Sequence, residues 1–335
     1  MSEPLLEVTG LVKHFPILRG LGRREVGVVR AVDGVSFSVG RGETVALVGE
    51  SGCGKTTTGR CILRAIEPTS GTITFRPDGD ALDLRALDKS ALKAARRDMA
   101  LVFQDPYSSL NPRMTVMDIV GEHLVNYGVS SGRHDLVERV SSLLVEVGLE
   151  PELMRRYPHA FSGGQRQRIA IARALALHPK LVVADEPVSA LDVSVQAQIL
   201  NLLEELQERF QLTYLFVAHN LAVVKYISDR VLVMYVGKIV EVAETEELFV
   251  SPRHPYTEAL LSAVPRTESE DRRERIVLEG EVADPANPPA GCYFHPRCRY
   301  ATDACAREAP PLRDSGSGGH RVACHLSDDL SLRGI

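Results

Sequence analysis

The chain has 335 residues, 44% hydrophobic and 25% charged, the balance of a globular protein able to bury a sizeable core. Its formal net charge of −5 gives no bulk electrostatic reason to bind nucleic acid, so no nucleic-acid partner is expected. No apolar run approaches the roughly 20 residues that span a bilayer, and Met1-Ser2-Glu3-Pro4 lacks the basic start of a signal peptide. A soluble chain is expected, reaching any membrane through partner subunits.

Residues 5–12 and 28–39 alternate like strands, with Gly-rich turns between them. Residues 44–48 (Thr-Val-Ala-Leu-Val) form a short continuous apolar run, the mark of a strand buried on both faces. A helix pattern follows from Thr56 to about Ile66. From Asp105 to about Phe161 turn residues give way to helical spacing through 116–124 and 136–147, which predicts a helical insertion within an α/β domain. Two more buried strands, 181–184 and 214–218, flank an amphipathic helix whose apolar face carries Ile199, Leu202, Leu203, Leu206 and Phe210. Strand, helix, strand implies a parallel sheet. Beyond Pro265 the chain turns charged over 267–275 and then rich in Pro, Ser and Gly, predicting a loop-rich appendix over 266–335 that needs a staple.

Gly49-Glu50-Ser51-Gly52-Cys53-Gly54-Lys55-Thr56 fits G-x-x-x-x-G-K-[ST] between a buried strand and a helix, the context that this phosphate-binding pattern requires. Its glycines let backbone N–H groups turn inward around phosphate oxygens, and the following helix aims its positive end at the same place. Lys55 is expected to reach the β/γ-phosphates and Thr56 to ligate Mg²⁺. The strand at 181–184 ends in Asp185-Glu186, two carboxylates at the sheet edge where ligands bind. There Asp185 would hold Mg²⁺, and Glu186 would orient or deprotonate the attacking water.

Ser162-Gly163-Gly164-Gln165 precedes a clear helix and supplies a second anion site in one chain. One nucleotide has no need of two such sites far apart in sequence. The economical reading is that this one caps the γ-phosphate of ATP held by another chain, against the plainer reading of an N-capped helix.

In this order, Gly49–Thr56, Ser162–Gln165, Leu181–Glu186, Ser189-Ala190-Leu191-Asp192 and His219 resemble the nucleotide-binding domains of ABC transporters. The resemblance implies an α/β P-loop NTPase with a RecA-like core, an antiparallel β subdomain and a helical subdomain over about 105–162. It makes residues 1–265 the motor and 266–335 an extension. It further implies that Gln104 senses Mg²⁺ and water and links to membrane subunits, that Ser189–Asp192 communicates across a dimer, and that His219 contacts the γ-phosphate. Thr57 joins the nucleotide contacts, and Phe15 is the candidate for stacking on adenine. Asn220 departs from the acidic residue often found after that histidine, keeping the hydrogen-bonding shape but not the charge.

A closer resemblance runs nearly end to end with the ATP-binding subunits of dipeptide/oligopeptide importers. It is carried by Phe103–Arg113, Asp185–Gln196, His254-Pro255-Tyr256-Thr257 and the cysteine-rich appendix. It implies a homologous, non-identical second ATPase subunit, two integral-membrane permeases docked near Gln104–Arg113, and an extracytoplasmic solute-binding protein. The chain would sit peripherally at the cytoplasmic face of the inner membrane. Nickel, glutathione or an antimicrobial peptide are rival cargoes. A soluble ABC protein of translation or DNA repair is the rival from another class, without the second motor domain, coiled coil or zinc hook that such proteins generally carry.

Four of the six cysteines, Cys292, Cys298, Cys305 and Cys324, fall in the appendix. Four thiolates suit a [4Fe–4S] cluster or tetrahedral zinc. The absence of C-x2-C pairs points away from zinc, and the family resemblance points to iron–sulfur; four unliganded thiols is the plain alternative. His295, His320 and His325 read as surface residues or outer neighbours of that site.

Overall fold

The computed structural model describes residues 3–20, 22, 24–105, 109–264, 275–315 and 319–335. The expected turn at Pro106, the permease-docking residues 106–108, the charged run 267–274 and residues 316–318 of the Pro/Ser/Gly stretch lie outside the described residues.

In chain order the elements begin with β1 (Leu6–Arg19), β2 (Arg24–Val39), β3 (Thr44–Val48), α1 (Lys55–Ile62), β4 (Ser70–Phe75), β5 (Leu82–Asp83), α2 (Lys89–Ala95) and β6 (Met99–Val102). Next come α3 (Val116–Asn126), α4 (Arg133–Glu146), α5 (Gly163–Leu175), β7 (Leu181–Asp185), α6 (Val193–Phe210) and β8 (Thr213–Ala218). The chain closes with α7 (Leu221–Ile227), β9 (Arg230–Tyr235), β10 (Lys238–Glu244), α8 (Thr245–Val250), α9 (Pro255–Ser262), α10 (Asp303–Arg307), β11 (Arg313–Asp314) and β12 (Arg321–Val322). The chain packs as two compact units, and it passes between them several times.

One unit comprises the N-terminal stretch through Leu5, Val39–Glu43 and Phe75–Phe216. Its β6 and β7 pair in parallel, with Met99 opposite Leu181 and Val102 opposite Ala184. β7 is buried along its whole length, as a continuous apolar run requires. The expected insertion is helical. Thr115 opens α3 with a capping box to Asp118, and α3 packs on α4 and α5. Ile199, Leu202, Leu203 and Leu206 are buried on α6, whereas Phe210 is only half-buried at its end.

The other unit comprises Leu6–Ser38, Thr44–Thr74 and Val217–Ile335. β3 is wholly buried and pairs in parallel with β9, Val45 opposite Arg230 and Val48 opposite Val233. β10 runs antiparallel to β9, and β12 of the appendix runs antiparallel to β10, Glu241 opposite Val322. In the second sheet of this unit β2, β1 and β4 are neighbours in that order. β1 and β2 outrun the expected strands, extending to Arg19 and starting at Arg24. α1 stops at Ile62, short of the expected Ile66, because Arg64 takes a left-handed backbone at φ 49 and ends the helix.

The appendix is anchored by its own apolar side chain. Phe294 is buried against Tyr235 and Tyr256, with ring centroids 5.3 and 5.4 Å away. Burying such a ring is worth about 1.5–3 kcal/mol, a substantial staple for a segment with little regular structure.

Candidate functional site

The phosphate-loop residues leave β3 and enter α1 as the sequence requires. A Cβ on Gly49 (φ 151) would stand 2.1 Å from the Met234 carbonyl oxygen, and one on Gly54 (φ 107) would stand 2.0 Å from that of Ala31. Both positions therefore demand glycine on space as well as on backbone. Lys55 is buried at 5% exposure, and its Nζ donates to the carbonyls of Gly49 at 2.8 Å and Glu50 at 3.1 Å. The ammonium thus lies inside the loop that it is expected to serve. Ser51 and Gly52 are exposed, Thr56 and Thr57 half-buried. Burial pushes the Cys53 thiol up, so this cysteine packs rather than reacts.

In the other unit Asp185 is buried at the end of β7. Glu186 follows at φ 47, a left-handed backbone that non-glycine residues seldom adopt. Its Oε2 accepts the Gln104 Nε2–H at 3.0 Å. Ser189 donates its N–H and its Oγ–H to the Glu186 carbonyl at 3.2 and 3.1 Å. The sequence-predicted Gln104, Glu186 and Ser189 are thereby brought together.

Ser162 caps α5. Its Oγ accepts the Gln165 N–H at 3.3 Å, and the Gln165 side chain accepts the Ser162 N–H at 3.1 Å. The capped-helix reading is therefore realised in this single chain. Gly164 is pinned by packing, since a Cβ would meet Val195 at 2.6 Å. At Ser189–Asp192, Asp192 caps α6 and accepts from Ser194 at 2.7 Å and Val195 at 3.1 Å, which holds its carboxyl below the usual range.

His219 follows β8 and is exposed. Asn220 has a local structural task, capping α7 by accepting the Ala222 N–H at 3.0 Å. An amide can cap as an acid does, which accounts for the departure at this position. Phe15 lies half-exposed on β1 with the Lys13 ammonium 4.8 Å from its ring centroid.

All four appendix cysteines line one small cavity of about 20 Å³, together with His295 and His325. Four thiols around one cavity suit a soft metal. Among the described residues, no three His, Cys, Asp or Glu side chains are close enough together to hold an ion. Burial pushes the Cys298 and Cys324 thiols up to about 11.

His320 departs from the expectation of a surface or outlying residue. It is fully buried, with Nε2 2.8 Å from Glu241 Oε1 and Nδ1 2.9 Å from Glu247 Oε1. Burial opposes its protonation, but the two carboxylates win and hold its pKa above the ordinary value. A motif search misses this because the three residues share no local pattern. Another contact hidden from the sequence joins Arg297 to Glu50 through two hydrogen bonds.

Residues 32–189 match the family model described as "ABC transporter", and residues 240–305 match "Oligopeptide/dipeptide transporter, C-terminal region". The oligopeptide transport ATP-binding protein AppF of Bacillus subtilis (strain 168) is 53% identical over 328 residues, covering 97% of this chain and 98% of that protein. Among solved structures, the ATP-binding cassette MJ0796, dimeric in a post-hydrolysis state with ADP and Pi, superposes with TM-score 0.62 at 29% identity over 72% of this chain and 98% of its own. The cbiO1 protein of Clostridium perfringens, part of the ABC transporter complex cbiONQ, gives 0.62 at 28% identity over 74% of this chain and 91% of its own.

Proposed function

This chain belongs to the ATP-binding subunits of ABC-type oligopeptide/dipeptide transporters, and from that membership we propose how its residues drive peptide import. The chain is the ATP-hydrolysing motor. The backbone N–H groups of Gly49–Thr56 and the Lys55 ammonium bind the phosphates, with Glu50, Ser51, Gly52, Cys53 and Thr57 completing the contacts and Phe15 stacking on adenine. Thr56, Gln104 and Asp185 hold Mg²⁺, which neutralises phosphate charge when bound. Glu186 accepts a proton from water as the water oxygen bonds to the γ-phosphorus. The bond to the ADP oxygen breaks, and ADP and phosphate leave. Gln104 orients the Glu186 carboxylate, and His219 contacts the γ-phosphate.

The observation that carries hydrolysis is the Gln104–Glu186 bond at 3.0 Å, which fixes a carboxylate immediately after Asp185. Ser162–Gln165 act in trans on ATP held by a second, homologous ATPase subunit, and Ser189–Asp192 relay between the two. The trans role requires Ser162 and Gln165 to exchange their mutual cap for the phosphate, whose negative charge a helix N-terminus favours. Two permeases dock near Gln104–Arg113, and an extracytoplasmic binding protein delivers peptide. Among the described residues no helix is long and apolar enough to cross a membrane. We place the chain peripherally at the cytoplasmic face, held by those permeases.

Residues 1–265 form the motor and 266–335 the extension, whose Cys292, Cys298, Cys305 and Cys324 line one cavity and would draw closer together to hold a structural metal centre. A [4Fe–4S] cluster is the family-based choice, and zinc is the alternative. Reconstituting the chain with its permeases and binding protein in proteoliposomes tests the function. ATP-dependent peptide uptake is expected. Uptake of nickel or glutathione in place of peptide would reassign the cargo, and co-purification with ribosomes or DNA would overturn transport.

A further inference from the structure

Glu50 is the second residue of the phosphate loop, and a free carboxylate there would repel a polyphosphate. Its charge is met from the distant appendix. Arg297 Nη1 lies 2.7 Å from Glu50 Oε2, and Nη2 lies 3.1 Å from Oε1, a two-pronged pair. The Arg297 side chain is 8% exposed and that of Glu50 28%, so water screens the contact weakly.

We propose that Arg297 is a positioning residue for the phosphate loop, acting through Glu50 to set nucleotide affinity from within the four-cysteine extension. The inference rests on the reading of Gly49–Thr56 as the ATP site.

Both ends of the contact are built to transmit position. Glu50 is tied through its backbone as well: its N–H donates to Tyr256 Oη at 2.8 Å, and its carbonyl accepts from Lys55 Nζ at 3.1 Å and from the Cys53 N–H at 3.3 Å. A displaced Glu50 therefore moves the lysine. Arg297 ends a single helical turn, His295–Arg297, which is closed by Arg297 N–H to the Phe294 carbonyl at 3.0 Å. On either side of it, His295 N–H donates to the Cys292 carbonyl at 3.0 Å and Cys298 N–H to the His295 carbonyl at 3.2 Å. Phe294 packs on Tyr256, the same tyrosine that accepts the Glu50 N–H. Two routes thus run from the appendix to one loop residue. Gly52 and Ser51 offer no comparable anchor, being exposed.

The test uses the full-length chain in its transporter complex, with Arg297→Met, Arg297→Lys, Glu50→Gln, the Arg297→Met/Glu50→Gln double variant, and Lys55→Ala. Mg·ATP affinity, KM for ATP, kcat and thermal unfolding are measured for each. Loss of a charge-assisted pair predicts a KM about tenfold higher in Arg297→Met, with kcat at saturating ATP within about twofold of wild type. Arg297→Lys restores part of the affinity, because an ammonium keeps the charge but not the fork. The double variant is no worse than Arg297→Met. An unchanged KM in folded Arg297→Met overturns the proposal, as do effects that multiply in the double variant. If Arg297→Met fails to fold, Glu50→Gln decides: raised KM supports the proposal and unchanged KM overturns it. Full nucleotide binding by Lys55→Ala would instead sink the underlying site assignment.

Discussion

Gln104 donates its side-chain amide to the carboxylate of Glu186 across 3.0 Å, although 82 positions separate them in the chain. Glu186 pays for its place with a left-handed backbone at φ 47. Strain of this kind persists where surrounding contacts enforce it, and here Ser189 grips the Glu186 carbonyl from two donors.

If that bond orients the proton acceptor, Gln104→Ala should lower kcat by about tenfold or more, since small misplacements of a catalytic group are costly. KM for Mg·ATP should rise by less than that, since Thr56 and Asp185 still hold Mg²⁺. A steady-state ATPase assay separates the two constants, and an unaltered kcat would remove Gln104 from the chemistry.

Gly49→Ala places a methyl 2.1 Å from the Met234 carbonyl at a φ of 151. Backbone must move to admit it, costing about 1–3 kcal/mol of local strain. Chemical unfolding should show the loss, and nucleotide binding should weaken in parallel. A variant with wild-type stability and affinity would mean that the loop yields freely.

The buried His320 has a carboxylate at each ring nitrogen, Glu241 at Nε2 and Glu247 at Nδ1. Its pKa is raised in the folded chain, so its stabilisation is full below the ordinary histidine value and fades as pH rises through the folded value. Arg253 and His254 also face this cluster, donating their backbone N–H groups to Glu241. His320→Gln should destabilise by about 3 kcal/mol at pH 6 and by less at alkaline pH. Urea midpoints across that range provide the check; a penalty independent of pH would rule out the charged form.

The four cysteines should bind metal under anaerobic purification, with iron and acid-labile sulfide in about equal amounts for the cluster or one zinc for the alternative. Chelation should then loosen the appendix, seen as faster proteolysis after residue 275. Protein free of iron and zinc would reduce the site to four packed thiols.

The phosphate loop, the Asp185-Glu186 pair and the two buried strands that present them were legible because each has a local signature: a fixed glycine spacing, or an apolar run ending in acids. Helix α6 was legible from its apolar face. Contacts made at long range were not. Nothing near Glu50 announces Arg297, 247 positions away, and nothing near Glu241 announces His320. β1 runs past the expected end at residue 12 to Arg19, through Lys13-His14-Phe15-Pro16, where a proline interrupts the usual strand pattern. In the sequence Asn220 shows only a missing charge, whereas its capping bond to Ala222 depends on the fold.

Single-turnover hydrolysis in Glu186→Gln shows whether Glu186 takes the proton from the attacking water. ATP should bind at near-normal affinity, chemistry should slow by at least about 100-fold, and an ATP-bound dimer should be trapped. Hydrolysis at close to the wild-type rate would contradict that role.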